Sequence, residues 1–185
     1  MLVGGGPWSL DQTRWEITPF TPSRSTRGQN VGRHLTRIHP SFEARPRLCE
    51  TPAVDAELTA QVAAAAPFTT RLDMEFVSAS PEEVRAQLAW DESLCTAGGA
   101  LHGGALMGLA DNVGGFCAFL NLPAGANGTA TIESKTNFFA AVRDGHVTAV
   151  ARPLHTGKRT IVVDTELFDD AGRLVARVTQ TQAVL

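Results

Sequence analysis

Two features of this sequence could do chemistry together. His102-Gly103-Gly104 opens a long apolar segment, and Asp111 stands inside that segment, between Leu109-Ala110 and Asn112-Val113. A carboxylate among apolar neighbours is costly unless it is paired, exposed or functional. Used functionally, it is a general base or a nucleophile. His102-Gly103-Gly104 falls where a helix over the apolar segment would begin. Backbone N–H groups at a helix N-terminus lack intrahelical partners, and the helix dipole there favours negative charge. Such donors can hold an oxyanion, and glycine lets a substrate approach the backbone closely. A carboxylate and an oxyanion donor are the two parts that hydrolysis at an acyl carbonyl needs.

The spacing of these parts has a consequence. Asp111 is eight residues beyond Gly103. On one helix that is roughly 12 Å at about 1.5 Å per residue. The two groups cannot reach one carbonyl carbon from the same helix. They can meet if the second group comes from a neighbouring copy of the chain, so the geometry implies a site shared in a dimer.

The helix itself is legible. Leu106, Ala110, Val113, Cys117 and Leu120 recur at steps of four, three, four and three, one face of an α-helix spanning about 101–122. Its many small residues suit close wrapping by a sheet. Before it, residues 54–65 are rich in good helix formers, with Pro67 as the stop. Residues 68–78 and 84–90 partly alternate apolar and polar, as strands do. After it, strand-like runs cover 129–138, 146–153, 159–168 and 173–184, separated by turn residues such as Asp144-Gly145 and Asp169-Asp170-Ala171-Gly172. Short connections imply that these four strands pair in sequential order. The expected fold is α+β, an antiparallel sheet on one central helix.

The chain has 185 residues, 43% apolar and 19% charged, a globular mix that can bury a core without staples. Residues 1–50 hold seven Arg, no Lys and four acids. With GGG, several prolines and no apolar period, they read as a disordered extension ahead of a domain at 51–185. The remainder carries a net charge of −6, which argues against a nucleic-acid surface. Three scattered cysteines, with no Cys/His cluster, suggest neither a disulfide framework nor a metal site. No leader and no membrane span are expected, so the cytoplasm is the default compartment.

The motifs now take on a family likeness. Leu101-His102-Gly103-Gly104-Ala105-Leu106 followed by Leu109-Ala110-Asp111-Asn112 resembles the HGG…AD signature of PaaI-like thioesterases, within the hotdog-fold 4-hydroxybenzoyl-CoA thioesterase-like superfamily. Thr136-Asn137-Phe138-Phe139 with Gly145, the turn Leu154-His155-Thr156-Gly157-Lys158-Arg159, and Asp170 to Ala176 resemble further segments of that family, in order. The resemblance covers about residues 60–185. It implies a hotdog fold and hydrolysis of acyl-CoA to free acid and CoA, with no cofactor. It implies a homodimer, assembled as a dimer of dimers; the charge balance and the lack of a long apolar run add the expectation of no nucleic-acid and no membrane partner. Asp111 would be base or nucleophile, and the Gly103 N–H the oxyanion donor. Thr131 would help place the attacking water, and His102 would position the thioester or cap the helix. The family often has Asn where this chain has Thr96, which bears on rate and preference more than on reaction class. Gly104, Asn112, His155, Gly157, Lys158 and Arg159 would contact substrate, the last two as partners for the CoA phosphates.

Two other functions share this fold. A 3-hydroxyacyl thioester dehydratase would need a His paired with an acid around the helix, and the helix body holds no second His. A non-catalytic acyl-CoA-binding or sensor module would use the fold without turnover. Release of free thiol from an acyl-CoA separates hydrolysis from both.

Overall fold

The computed structural model describes residues 53–185; the expected extension at 1–50 lies outside them. Two short helices come first, α1 (Ala56–Ala65) and α2 (Phe68–Arg71). A hairpin follows, β1 (Met74–Ala79) and β2 (Val84–Ala89), then the long helix α3 (Gly103–Leu120). Four strands complete the chain, β3 (Thr129–Phe138), β4 (His146–Thr156), β5 (Thr160–Asp169) and β6 (Leu174–Val184).

All six strands form one antiparallel sheet in the order β1-β2-β4-β5-β6-β3. This corrects the expected sequential pairing. β3 does not pair with β4 but lies at the edge beside β6, with Thr131 opposite Gln182. The connection at 139–145 explains how: seven extended residues reach about 23–25 Å, and passing β6 and β5 takes three strand spacings of about 4.8 Å each. A second correction falls at Phe68–Arg71, expected as strand and found as a helical turn. Leu72 is buried while Phe68 is 53% exposed, so the apolar residues there do not alternate across a sheet.

The sheet packs on α3. Leu109, Ala110, Val113, Cys117 and Ala118 have no exposed surface, and they meet equally buried side chains of the sheet such as Leu88, Ile161, Val163 and Leu167. By length and composition α3 could cross a membrane; here it is the helix around which the core is built. Its small residues do the packing expected of them. At Gly114 a Cβ would stand 1.8 Å from Gln180 Oε1, so only glycine lets that strand side chain lie on the helix.

The β1 edge is closed by α1. Asp55 caps the helix by accepting from the Leu58 N–H at 2.9 Å, and its own N–H donates to the Phe76 carbonyl at 2.8 Å. Thr59 Oγ1 accepts from the Phe76 N–H at 2.8 Å. One turn of helix thus satisfies edge groups of a strand that would otherwise offer them to another chain. At the opposite edge no described residue covers β3 in this way, and most of its side chains on both faces are exposed.

Candidate active site

The helix start is built by His102. Its Nδ1 accepts from the Gly104 N–H at 2.8 Å, and its carbonyl accepts from Ala105 at 2.9 Å. An accepting Nδ1 carries no proton, so the neutral ring holds its proton on Nε2. His102 is therefore the N-cap of α3, one of the two positioning roles expected of it. The Gly104 N–H is taken by this cap. The Gly103 N–H is bonded to no described residue and stands at the positive end of an 18-residue helix.

Two turns further on, Asp111 is exposed on the wall of a cavity of about 560 Å³. α3 lines that cavity with Asp111, Asn112, Gly115 and Phe116, and β3 and β6 add Thr131 and Gln182. Asp111 Oδ1 accepts from Gln180 Nε2 at 2.6 Å and from the Thr131 hydroxyl at 3.5 Å. Gln182 Nε2 donates in turn to Thr131 Oγ1 at 2.7 Å. Asp111 Oδ2 has no partner among the described residues. The carboxylate is thus held by one oxygen and open at the other.

Gln180 and Gln182 carry this arrangement and were not singled out from sequence. Gln is unremarkable in a strand. The available signal was periodic: Ala176, Val178, Gln180 and Gln182 share the buried face of β6, so two amides continue an apolar stripe into the core. A buried amide must have a partner nearby.

The other expected residues divide. Thr131 is beside Asp111. Asn112 lines the cavity, but its amide is spent internally, accepting from the Thr69 hydroxyl at 3.1 Å and donating to the Gly108 carbonyl at 3.0 Å. It ties α2 to α3. Thr96 is not beside Asp111 in this chain; its exposed hydroxyl accepts from the Gly98 N–H at 3.3 Å in a turn just before α3. His155, Gly157, Lys158 and Arg159 form the β4–β5 hairpin tip. Gly157 is needed there, since a Cβ would stand 2.7 Å from His155 Nε2 and 2.9 Å from the Thr160 carbonyl. The Arg159 carbonyl accepts from the Val184 N–H, and Val184 is opposite Thr129. The tip therefore stands at the same end of the sheet as the cavity, about 10 Å from β3 across two strand spacings. Lys158 and Arg159 are exposed and make no ion pair among the described residues, whereas Arg152 is paired with Glu83 and Glu166. Among those residues no His, Cys, Asp or Glu cluster could hold a metal ion.

A helix wrapped by a six-stranded antiparallel sheet, with a carboxylate at mid-helix and an open N-terminus, is the hotdog arrangement of thioesterases. Residues 98–176 match the family model of the thioesterase superfamily. The 1,4-dihydroxy-2-naphthoyl-CoA hydrolase of Escherichia coli is 32% identical over 114 residues, which are 62% of this chain and 83% of that one. A solved mutant thioesterase of Pseudomonas aeruginosa superposes with a TM-score of 0.64 at 29% identity, over 74% of this chain and 96% of that one. A thioesterase of Haemophilus influenzae shares the fold, with a TM-score of 0.64 at 23% identity over 74% and 93% of the two chains. The chain belongs to the thioesterase superfamily, whose chemistry is the hydrolysis of thioesters.

Proposed function

We propose that the protein hydrolyses acyl-CoA thioesters to the free acid and CoA, with Asp111 as the reacting carboxylate. The observation that carries this reading is the asymmetry of Asp111: Oδ1 is held by Gln180 at 2.6 Å, with the Thr131 hydroxyl 3.5 Å away, while Oδ2, at a cavity wall, has no partner among the described residues. An ionised carboxylate so held can take a proton from attacking water or attack the carbonyl itself. The Gly103 N–H supplies the oxyanion donor, strengthened by the α3 dipole. The Thr131 hydroxyl, a neighbour of Asp111, helps orient the water. Hydrolysis on this plan uses only water, side chains and one backbone N–H, with no cofactor. Lys158 and Arg159 at the hairpin tip meet the nucleotide phosphates.

The site is shared between two copies of the chain. Gly103 and Asp111 are about 12 Å apart along α3, so one chain's carboxylate meets the other's helix N-terminus. Exposed apolar groups support this pairing. Among the described residues, β3 exposes Ile132 and Phe138 at its free edge, Phe139 follows just beyond the strand, and α3 exposes Met107 and Phe119. Exposed apolar groups gathered along an open strand edge favour association with a second copy.

The test is Asp111→Asn, which keeps shape and removes charge. Thiol release should fall by about 10²–10⁴-fold with the far-UV spectrum unchanged. Near-wild-type turnover on every acyl-CoA that the native protein cleaves would remove Asp111 from the mechanism. Running native protein across aromatic and straight-chain CoA esters identifies the acyl group.

A further inference from the structure

Gln180 has no exposed surface, yet only half of its amide is satisfied. Its Nε2 donates to Asp111 Oδ1 at 2.6 Å. Its Oε1 is buried without a partner among the described residues, as is Thr165 Oγ1 nearby. Both face the bare Cα of Gly114: a Cβ there would stand 1.8 Å from Gln180 Oε1 and 3.2 Å from Thr165 Oγ1. A buried oxygen without a partner is unfavourable, and an apolar side chain of similar shape would avoid that cost. Features that cost stability and have no local compensation tend to stand at functional positions.

The orientation of the amide is determined. With the two ends exchanged, Oε1 would face the carboxylate and repel it, so Nε2 must point at Asp111. Two residues on, Gln182 does the same for Thr131, at 2.7 Å, and Thr131 donates to the same Oδ1. One strand thus delivers two amides, directly and through a hydroxyl, to one carboxylate oxygen.

The geometry points to Gln180 as a positioning residue, whose amide pins Asp111 Oδ1 so that Oδ2 faces the cavity, with Gly114 as the gap in α3 that the amide requires. This rests on Asp111 being the reacting carboxylate. Gln180 is walled off from the cavity and acts only through Asp111, which separates it from residues that bind substrate. Its loss should therefore appear in kcat and not in KM.

Gln180→Met keeps length and apolar volume and deletes the donor. In steady-state thiol release kcat should fall by about tenfold or more, KM should hold within about threefold, and the thermal midpoint should be unchanged or higher. In an Asp111→Asn background the same substitution should cost nothing further, because two residues acting through one group are not additive. Gly114→Ala leaves Gln180 in the chain but occupies its space. It should lose kcat in similar proportion and also be silent beside Asp111→Asn, and it carries the test if Gln180→Met does not fold. Wild-type kcat in the folded single variants would overturn the proposal. So would equal fractional losses with and without Asp111. A dead Asp111→Asn beside fully active Gln180→Met overturns the positioning role alone, whereas an active Asp111→Asn overturns the proposed function and this role with it.

Discussion

The ring of Phe138 lies over Gly103, with its Cζ 3.0 Å from where a Cβ on that residue would stand. The last residue of β3 thus closes one side of the α3 N-terminus. The consequence is a defined cost for the smallest substitution. Gly103→Ala must displace either the ring or the first turn of the helix, and kcat should fall by about tenfold. If the clash is the cause, Phe138→Leu should restore part of the loss in the Gly103→Ala chain while helping nothing on its own. Strictly additive losses in the double variant would show that the alanine acts by another route.

The hairpin tip offers a test on the binding side. Lys158→Ala with Arg159→Ala should raise KM for acyl-CoA and leave kcat nearly constant, because ground-state binding far from the reacting carbon is removed. The same pair should have little effect on a short thioester that lacks the nucleotide. The expected KM effect should shrink as salt is added, since both side chains are exposed. An equal loss on both substrates would argue for damage to the hairpin instead of a phosphate contact.

What could be read in advance follows a physical division. α3 was legible because a helix buried on one face repeats its apolar residues at 3.6-residue spacing, and Leu106, Ala110, Val113 and Cys117 do so. The strands were legible because Asp-Gly and Gly-rich turns punctuate them. The place of β3 was not, since the connection at 139–145 is long enough to pass two strands and nothing in its composition says that it does. Phe68 read as strand because a buried pattern and an exposed aromatic look alike in one dimension. Asp111 and His102-Gly103-Gly104 stood out as types that a helix does not otherwise favour. Gln180 and Gln182 did not, because their meaning arises only when β6 faces α3. Thr96 was named from a family position, and its hydroxyl is occupied by the Gly98 N–H within its own turn.

Cys117 gives a prediction about stability and pH. Burial, assisted by the Glu83 carboxylate, pushes its thiol up from 9.0 to about 11. In the unfolded chain the thiol releases its proton near pH 9, while in the folded chain it keeps the proton until about pH 11. The folded state therefore holds the extra proton between those values, and stability must fall as pH rises through that window. The contribution is complete below pH 9 and lost by about pH 11, for a total on the order of 2–3 kcal/mol. Cys117→Ala removes the titrating group. Denaturant melts at pH 8, 9, 10 and 11 should show a shallower alkaline decline for Cys117→Ala than for the native chain. Parallel declines would mean that the thiol is no more protected when folded than when unfolded.

The separation of Gly103 and Asp111 along α3 supplies the most demanding test, because it concerns which chain completes the site. Proline is tolerated at the first position of a helix, where its missing N–H has no intrahelical partner to lose. Gly103 holds that position after the His102 cap. Gly103→Pro therefore deletes the proposed oxyanion donor with limited damage to the helix, apart from displacement of the Phe138 ring. Chains with Gly103→Pro alone and chains with Asp111→Asn alone should both be inactive. Mixed and co-refolded, they form some dimers in which one site joins the intact Asp111 of the first chain to the intact Gly103 of the second, while the other site has neither. With random pairing of equal amounts, half of the dimers are mixed and each has one good site, so activity should return to about a quarter of the native value. Differently tagged chains allow the mixed dimer to be isolated, where the expectation rises to about half. If mixed dimers are isolated and remain as inactive as the parents, the carboxylate and the donor belong to one chain. The oxyanion would then have to be held by a group closer to Asp111 than the start of α3.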